Sequence, residues 1–352
     1  MMAVRMRDVA QAAGVSIATV SLALSGNPRI PAETRERISD VAELMRYRPH
    51  AGARALRTEV TGSLGLVISD VANPFFAELA GEVQRAAASR GFSTVLCNSD
   101  EDAQRQDEYL HALLAGSRVD GVILVPASAM TAGLEAAGHA KARLVFLDRP
   151  VVFAGDSAAV SHLAACPVVR SAAWAALSEA AQLITGLGHR RIGIIAPPLE
   201  TRVGIERRDL MIRAFTECGV SSGDITVVAG DFRQDSGEWA VGQLLDTAGP
   251  PTVIFGADGL MTIGAMKGLR RAKLRVPEEI SLIGFDDAPW FELFDPPLTA
   301  VAQPIAKLAA AAVDAMVNLV GGFAVAINRA DSSPPCRLVR RASCGSAPLG
   351  RT

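Results

Sequence analysis

Apolar and polar positions change period once along this chain of 352 residues, and the change marks its organisation. Over residues 8–24 apolar side chains recur at three and four residues, the spacing of one helical face. Val9, Ala10 and Ala13 share that face. Gly14 breaks the run, because glycine closes a helix in the left-handed conformation without a Cβ penalty, and Ser16 is a favoured N-cap for a second helix starting near Ile17. Val20 and Leu24 are expected to point inward, leaving Ile17, Ala18, Ser21 and Leu22 outward. Over 32–45 the stripe Ile38, Val41, Ala42 and Met45 predicts a third helix, and Tyr47-Arg48-Pro49 ends it, since the residue before a proline leaves helical conformation. This is the layout of a helix-turn-helix, whose second helix enters a DNA major groove. Ala-rich helix pairs of the same kind also occur in ordinary helical bundles.

From Ser63 the pattern becomes an alternation of strands and helices. The apolar runs SLGLVIS, FSTVLCN, GVILVP and LVFLD alternate with amphipathic stretches at 75–90 and 103–114. A second series has the runs RIGIIA, DITVVAG, TVIFGA and ISLIGF with helices expected at 172–187, 207–218, 237–245 and 260–271. Continuous apolar strands in βαβ order mean parallel sheets covered on both faces. Two such series predict two doubly wound domains, with a ligand at the carboxyl ends of their strands and in the cleft between them.

Composition sharpens this picture. At 49% hydrophobic and 20% charged residues the chain reads as soluble and globular. Its net charge is −2, but residues 1–60 hold nine arginines against six acids, so a basic head (+3) precedes an acidic body (−5). That asymmetry suits a small DNA-binding module on a body that does not itself adhere to DNA. Five cysteines without CxxC spacing give neither a disulfide framework nor a zinc site, and point to a reducing cytosol. Arg5, Arg7 and Asp8 interrupt any signal core, and no run reaches the roughly 18 apolar residues of a membrane span, so a cytoplasmic protein without a membrane partner is expected. Gly186 and Gly188 follow a helix, so GLGHRRIG is not a dinucleotide fingerprint. The five histidines lack metal spacing, and no GxSxG or phosphate loop occurs. No enzyme, catalytic residue, metal or cofactor is expected.

Taken together, DVAQAAGVSIATVSLALSG, TRERISDVAELMRYRP, ISDVANPFFAEL, RVDGVIL, FLDRP, GLGHRRIGII, RVPEEISLIGFDD, PPLTAVAQP and the terminal RLVRRAS resemble the LacI/GalR family of bacterial transcriptional repressors along nearly the whole chain. The resemblance implies a helix-turn-helix head (1–48), a hinge helix or linker (49–61), and a core (62–352) similar to periplasmic sugar-binding proteins. That core's first subdomain is expected at about 62–168 and 290–321, and its second at about 169–289 and 322–345. It further implies a homodimer on a pseudo-palindromic double-stranded DNA operator, with a small-molecule effector, a carbohydrate, closing the cleft. By the same resemblance Leu56 of the hinge wedges into the minor groove, with Ala53 and Arg57 beside it. Ile17, Ala18 and Leu22 stand where relatives carry base-reading polar side chains and cannot form bidentate hydrogen bonds to guanine or adenine. Ser16, Thr19 and Ser21 are then the hydrogen-bonding candidates for base or phosphate, with Arg29 a further DNA contact.

For the effector, the family pattern falls on Asn73, Phe75, Phe76, Asp148, Arg207, Phe232, Asp258 and Asp286. Aromatic rings cover the apolar faces of a sugar, while Asp and Arg fork onto its hydroxyls. Three departures bear on that ligand. Ala257 replaces an Asn often found before Asp258, and Leu210 stands where a Gly is expected after Arg207. Residues 151–171 are longer than the usual connection, with Arg170-Ser171 in place of Asp-Asn. These leave room for a regulator governed by a partner protein, or constitutive, with a degenerate cleft. A sugar-binding protein is the rival from another class, and the basic head speaks against it.

Overall fold

The computed structural model describes residues 4–24, 27–47, 61–116, 118–127, 129–153, 155–323 and 333–348. Contacts divide the chain into two units, Met1–Gly62 and Ser63–Thr352. In the first, α1 (Met6–Ala13), α2 (Ile17–Leu24) and α3 (Ala32–Leu44) enclose Val9, Ala10, Ala13, Val20, Ala23, Ile38 and Ala42. Gly14 takes the left-handed conformation (φ 67°, ψ 33°) and closes α1. The Thr19 N–H donates to Ser16 Oγ at 3.0 Å, which starts α2. One inward position differs from expectation. Ala23 takes the innermost place expected of Leu24, since the smaller side chain lets the helices approach and the longer one covers the rim.

The second unit holds two sheets. The first runs in the order β2 (Ser93–Asn98), β1 (Ser63–Ile68), β3 (Val122–Leu124), β4 (Leu144–Leu147) and β5 (Val168–Val169), all parallel. On one face lie α4 (Pro74–Ser89) and α12 (Ile305–Val320), whose Leu79, Val83, Leu308 and Val313 share a core with Leu64 and Leu66. On the other lie α5 (Ala103–Leu114), α6 (Ala132–His139) and α7 (Ala158–Ala164), closing over Val67, Leu124 and Phe146.

The second sheet runs β11 (Arg337–Val339), β10 (Thr299–Ala302), β9 (Ser281–Phe285), β8 (Val253–Gly256), β6 (Ile192–Ala196) and β7 (Ile225–Ala229). It is parallel except at β11, which pairs antiparallel with β10 and so departs from the wholly parallel sheet expected. Helices α8 (Trp174–Gly186) and α9 (Arg202–Glu217) cover one face, and α10 (Gln234–Leu245) and α11 (Gly259–Arg271) the other. Helix α9 begins five residues before the expected 207, because Thr201 Oγ1 accepts the Gly204 N–H at 3.1 Å and caps it there.

The chain crosses between the subdomains at 170–173, again at 303–304, and a third time between α12 and β11. The expected segment 290–321 therefore divides: Phe291, Leu298 and Ala300 pack in the second subdomain, and only α12 returns to the first. The long 151–171 connection folds as α7, capped by Ser157 Oγ on the Val160 N–H, followed by β5 on β4. Ala159 and Leu163 are fully buried, so the extra length becomes outer packing of the first sheet.

Candidate functional site

Two groups of residues carry the chemistry, one in each unit. In the head, Ser16, Ile17 and Ala18 are exposed at the start of α2, with Ile17 half exposed at 50%. Thr19, Ser21 and Leu22 are partly exposed, and Arg29 is exposed on the following turn. Ser16 Oγ also lies 2.8 Å from Thr19 Oγ1, so these two hydroxyls are tied to capping and to each other. The outward face is thus short, apolar at Ile17 and Ala18, and edged by hydroxyls. Arg5, Arg7, Arg29, Arg37 and Arg46 of the same unit are exposed, and such cations are what a phosphate backbone attracts. Ala53, Leu56 and Arg57 lie outside the described residues.

In the core, all eight effector residues named from the sequence line one chamber: Asn73, Phe75, Phe76, Asp148, Arg207, Phe232, Asp258 and Asp286. The folding reason is local. Asp148 follows β4 and Asp286 follows β9 directly, and Phe232 follows β7 by three residues, so each stands at a strand's carboxyl end. All three hold positive φ (66°, 63° and 66°). Asp tolerates that region and Phe does so rarely; such backbone costs of order 1–3 kcal/mol and persists where packing imposes it. Asn73 and Asp258 are the N-caps of α4 and α11, accepting the Phe75 and Met261 N–H groups at 3.1 and 3.0 Å. Asn73 Nδ2 donates to Asp258 Oδ2 at 3.4 Å, which ties the two subdomains together across the cleft.

Charge in this chamber is dense. The Arg207 guanidinium stacks 4.0 Å from the Phe285 ring centroid, donates to the Ala257 carbonyl at 2.7 Å and stands 4.0 Å from Asp286. Gln303 Nε2 donates to Asp286 Oδ1 at 2.8 Å. Burial pushes the Asp286 carboxyl up to about 7, against the pull of Arg207 and with the push of the Asp258 charge. Burial likewise raises Asp258, against the Met261 N–H and two guanidiniums.

The sequence reading missed Arg149 and Glu101. Arg149 is 5% exposed and lies inside the chamber, Nη1 and Nη2 donating to the two oxygens of Glu101 at 2.6 and 2.8 Å. A cation next to Asp148 at a strand end was a usable signal in FLDRP; nothing in the sequence marked Glu101. The space left in the chamber is about 10 Å³, close to what one water needs. Next to it an open pocket of about 540 Å³ shares Asp148 and Arg207 and is walled by Arg170, Ser171, Trp174 and Glu206. Arg170, in the departure from the family's Asp-Asn, pairs with Glu206 at 2.8 Å. Among the described residues no group of His, Cys, Asp and Glu is arranged to hold a metal ion, and no helix is long and apolar enough to cross a membrane.

Comparison with known proteins agrees with both units. Residues 5–50 match the model of bacterial regulatory proteins of the lacI family, and residues 181–344 that of a periplasmic binding protein-like domain. Catabolite control protein A of Priestia megaterium is 33% identical over 315 residues, 89% of this chain and 91% of its own. Among solved structures, the lac repressor dimer bound to operator and the anti-inducer ONPF superposes with a TM-score of 0.81 at 26% identity, over 97% of this chain and 99% of that one. The transcriptional regulator CelR in complex with cellobiose gives a TM-score of 0.69 at 28% identity, with coverage of 97% and 99%. The chain belongs to the LacI family: it is a DNA-binding transcriptional regulator of the repressor type and not an enzyme.

Proposed function

We propose that the protein represses transcription as a homodimer on a pseudo-palindromic operator and is controlled by a sugar-class effector held between its core subdomains. One observation carries the effector reading: eight residues from both subdomains converge on one chamber, with rings on its walls and carboxylates and a guanidinium between them. Rings suit the apolar faces of a sugar, and carboxylates at strand ends suit its hydroxyls. The CelR relative is in complex with cellobiose, which supports the same chemical class. For the dimer, the support is the lac repressor dimer together with uncovered apolar side chains, Val95 and Leu96 on edge strand β2 and Trp290 and Leu293 after β9. An unpaired strand edge calls for a cover.

On the DNA, phosphate contacts from the arginines hold the head in register, and the apolar start of α2 meets thymine methyl groups. The hinge wedge at Leu56, with Ala53 and Arg57 beside it, contributes by bending the operator. An effector changes the separation of the core subdomains, and residues 49–61 pass that change to the paired heads, shifting the population able to bind DNA.

A thermal-shift screen of the full chain against monosaccharides and disaccharides tests the effector reading. The expected result is a raised core melting temperature with at least one sugar, lost in Arg207→Ala. A blank across sugars would move the reading to control by a partner protein.

A further inference from the structure

The charges that line the chamber do not balance. Its walls carry three aspartates, Asp148, Asp258 and Asp286, and two arginines, Arg149 and Arg207. The Arg149 guanidinium is matched by Glu101, to whose two oxygens it donates. Among the lining residues that leaves one guanidinium for three carboxylates. Arg207 gives its 2.7 Å hydrogen bond to the Ala257 carbonyl and stands 4.0 Å from Asp286. Neighbouring ion pairs are self-contained and do not correct the excess: Asp287 with Arg341 at 2.7 Å, Glu206 with Arg170 at 2.8 Å and Asp100 with Arg233 at 3.3 Å.

Carboxylate oxygens in the chamber also lack donors. The Asp148 side chain is 7% exposed and 3.8 Å from Arg149 Nε, beyond hydrogen-bond reach, and among the described residues its carboxylate accepts no hydrogen bond. Asp286 takes Gln303 on Oδ1, while its Oδ2 meets Arg207 only at 4.0 Å. A buried carboxylate short of donors is costly until something supplies them. The upward shifts of Asp258 and Asp286 are the chain's own response, a held proton standing in for a missing cation. An ammonium group answers the same shortage, with three N–H donors, a positive charge and no acceptor to satisfy.

Resting on the reading of this chamber as the effector site, we propose that the effector is a carbohydrate carrying a protonated amine, an amino sugar whose ammonium group sits among Asp148, Asp258 and Asp286. The sugar body lies against the Phe75, Phe76 and Phe232 rings, as any sugar would there. The amine is what selects it. A neutral sugar brings hydroxyl donors but leaves the negative charge in place, and an N-acetylated sugar does the same with added bulk.

Calorimetric titration of the full chain tests this with 2-amino-2-deoxy hexoses and pentoses, each beside its neutral parent and its N-acetyl form. At least one amine should bind about ten- to a hundredfold more tightly than both counterparts. Asp258→Asn is isosteric and caps a helix as well as Asp does, so it should fold and lose most of that preference. An amine bound no better than its parent would overturn the proposal, and so would an unchanged preference in Asp258→Asn. Binding of neutral sugars alone would overturn it while leaving the sugar reading intact. If no carbohydrate binds, the sugar reading fails and ammonium itself decides the charge assignment, since a water-sized cation suits the remaining space of about 10 Å³. Ammonium chloride should then raise the core melting temperature above that in tetramethylammonium chloride of equal ionic strength, and not in Asp258→Asn; no such rise would overturn the cation preference too.

Discussion

The Asp286 carboxyl shows how single residues set the behaviour of the cleft. Its side chain is buried beside Arg207 and Gln303, and burial raises its pKa from 3.8 to about 7. A group raised in the folded state contributes stability that is complete below its unfolded value and is lost as pH rises through the folded one. The core melting temperature should therefore fall as pH rises from about 4 to about 7 and level off above that, and Asp286→Asn should flatten that fall; an equal slope in the variant would assign it elsewhere. The eight chamber residues were legible through the family resemblance, whose pattern falls here on strand ends (Asp148, Asp286), on helix caps (Asn73, Asp258) and on side chains of the loops and helices that follow them. Arg149 and Glu101 were not, because the end point of a long charged side chain depends on how two subdomains close around it.

At the scale of elements, the buried His189 shows what holds the end of the chain. Its Nδ1 lies 2.8 Å from Thr252 Oγ1 and its Nε2 3.0 Å from the Gly345 carbonyl, pinning the tail beside β8 and β9. His189→Ala strips these groups of a buried partner and should destabilise the core by about 1–3 kcal/mol, measured by urea unfolding. Burial also lowers the His189 pKa. The network's stability is therefore present above the ordinary value of 6.5 and lost as pH falls below it, and the alanine variant should lose that acid sensitivity. The main strands and helices were legible because buried parallel strands are continuous apolar runs. Short α7, two-residue β5 and the edge strand β11 were not. Seven residues give no clear stripe, two give no pattern, and Arg337-Leu338-Val339 at a sheet edge is half polar.

For the whole molecule, two units with separate cores imply separable failures. Ile38 is fully buried at the centre of the three-helix head. Ile38→Ala should cost about 2–5 kcal/mol, enough to unfold so small a module. Operator binding should then disappear in an anisotropy titration, while the main calorimetric transition, that of the core, stays within a degree or so of wild type. A joint loss of both would contradict independent folding. The account's central claim is that occupancy of the cleft and affinity for DNA are coupled, and coupling requires an effector to favour one DNA-binding state over another. The direct measurement is an operator titration of the full chain with and without a saturating sugar that raises the core melting temperature. The account predicts a change in operator Kd of about 5–150-fold, abolished by Arg207→Ala; an unchanged Kd with the cleft demonstrably filled would contradict it.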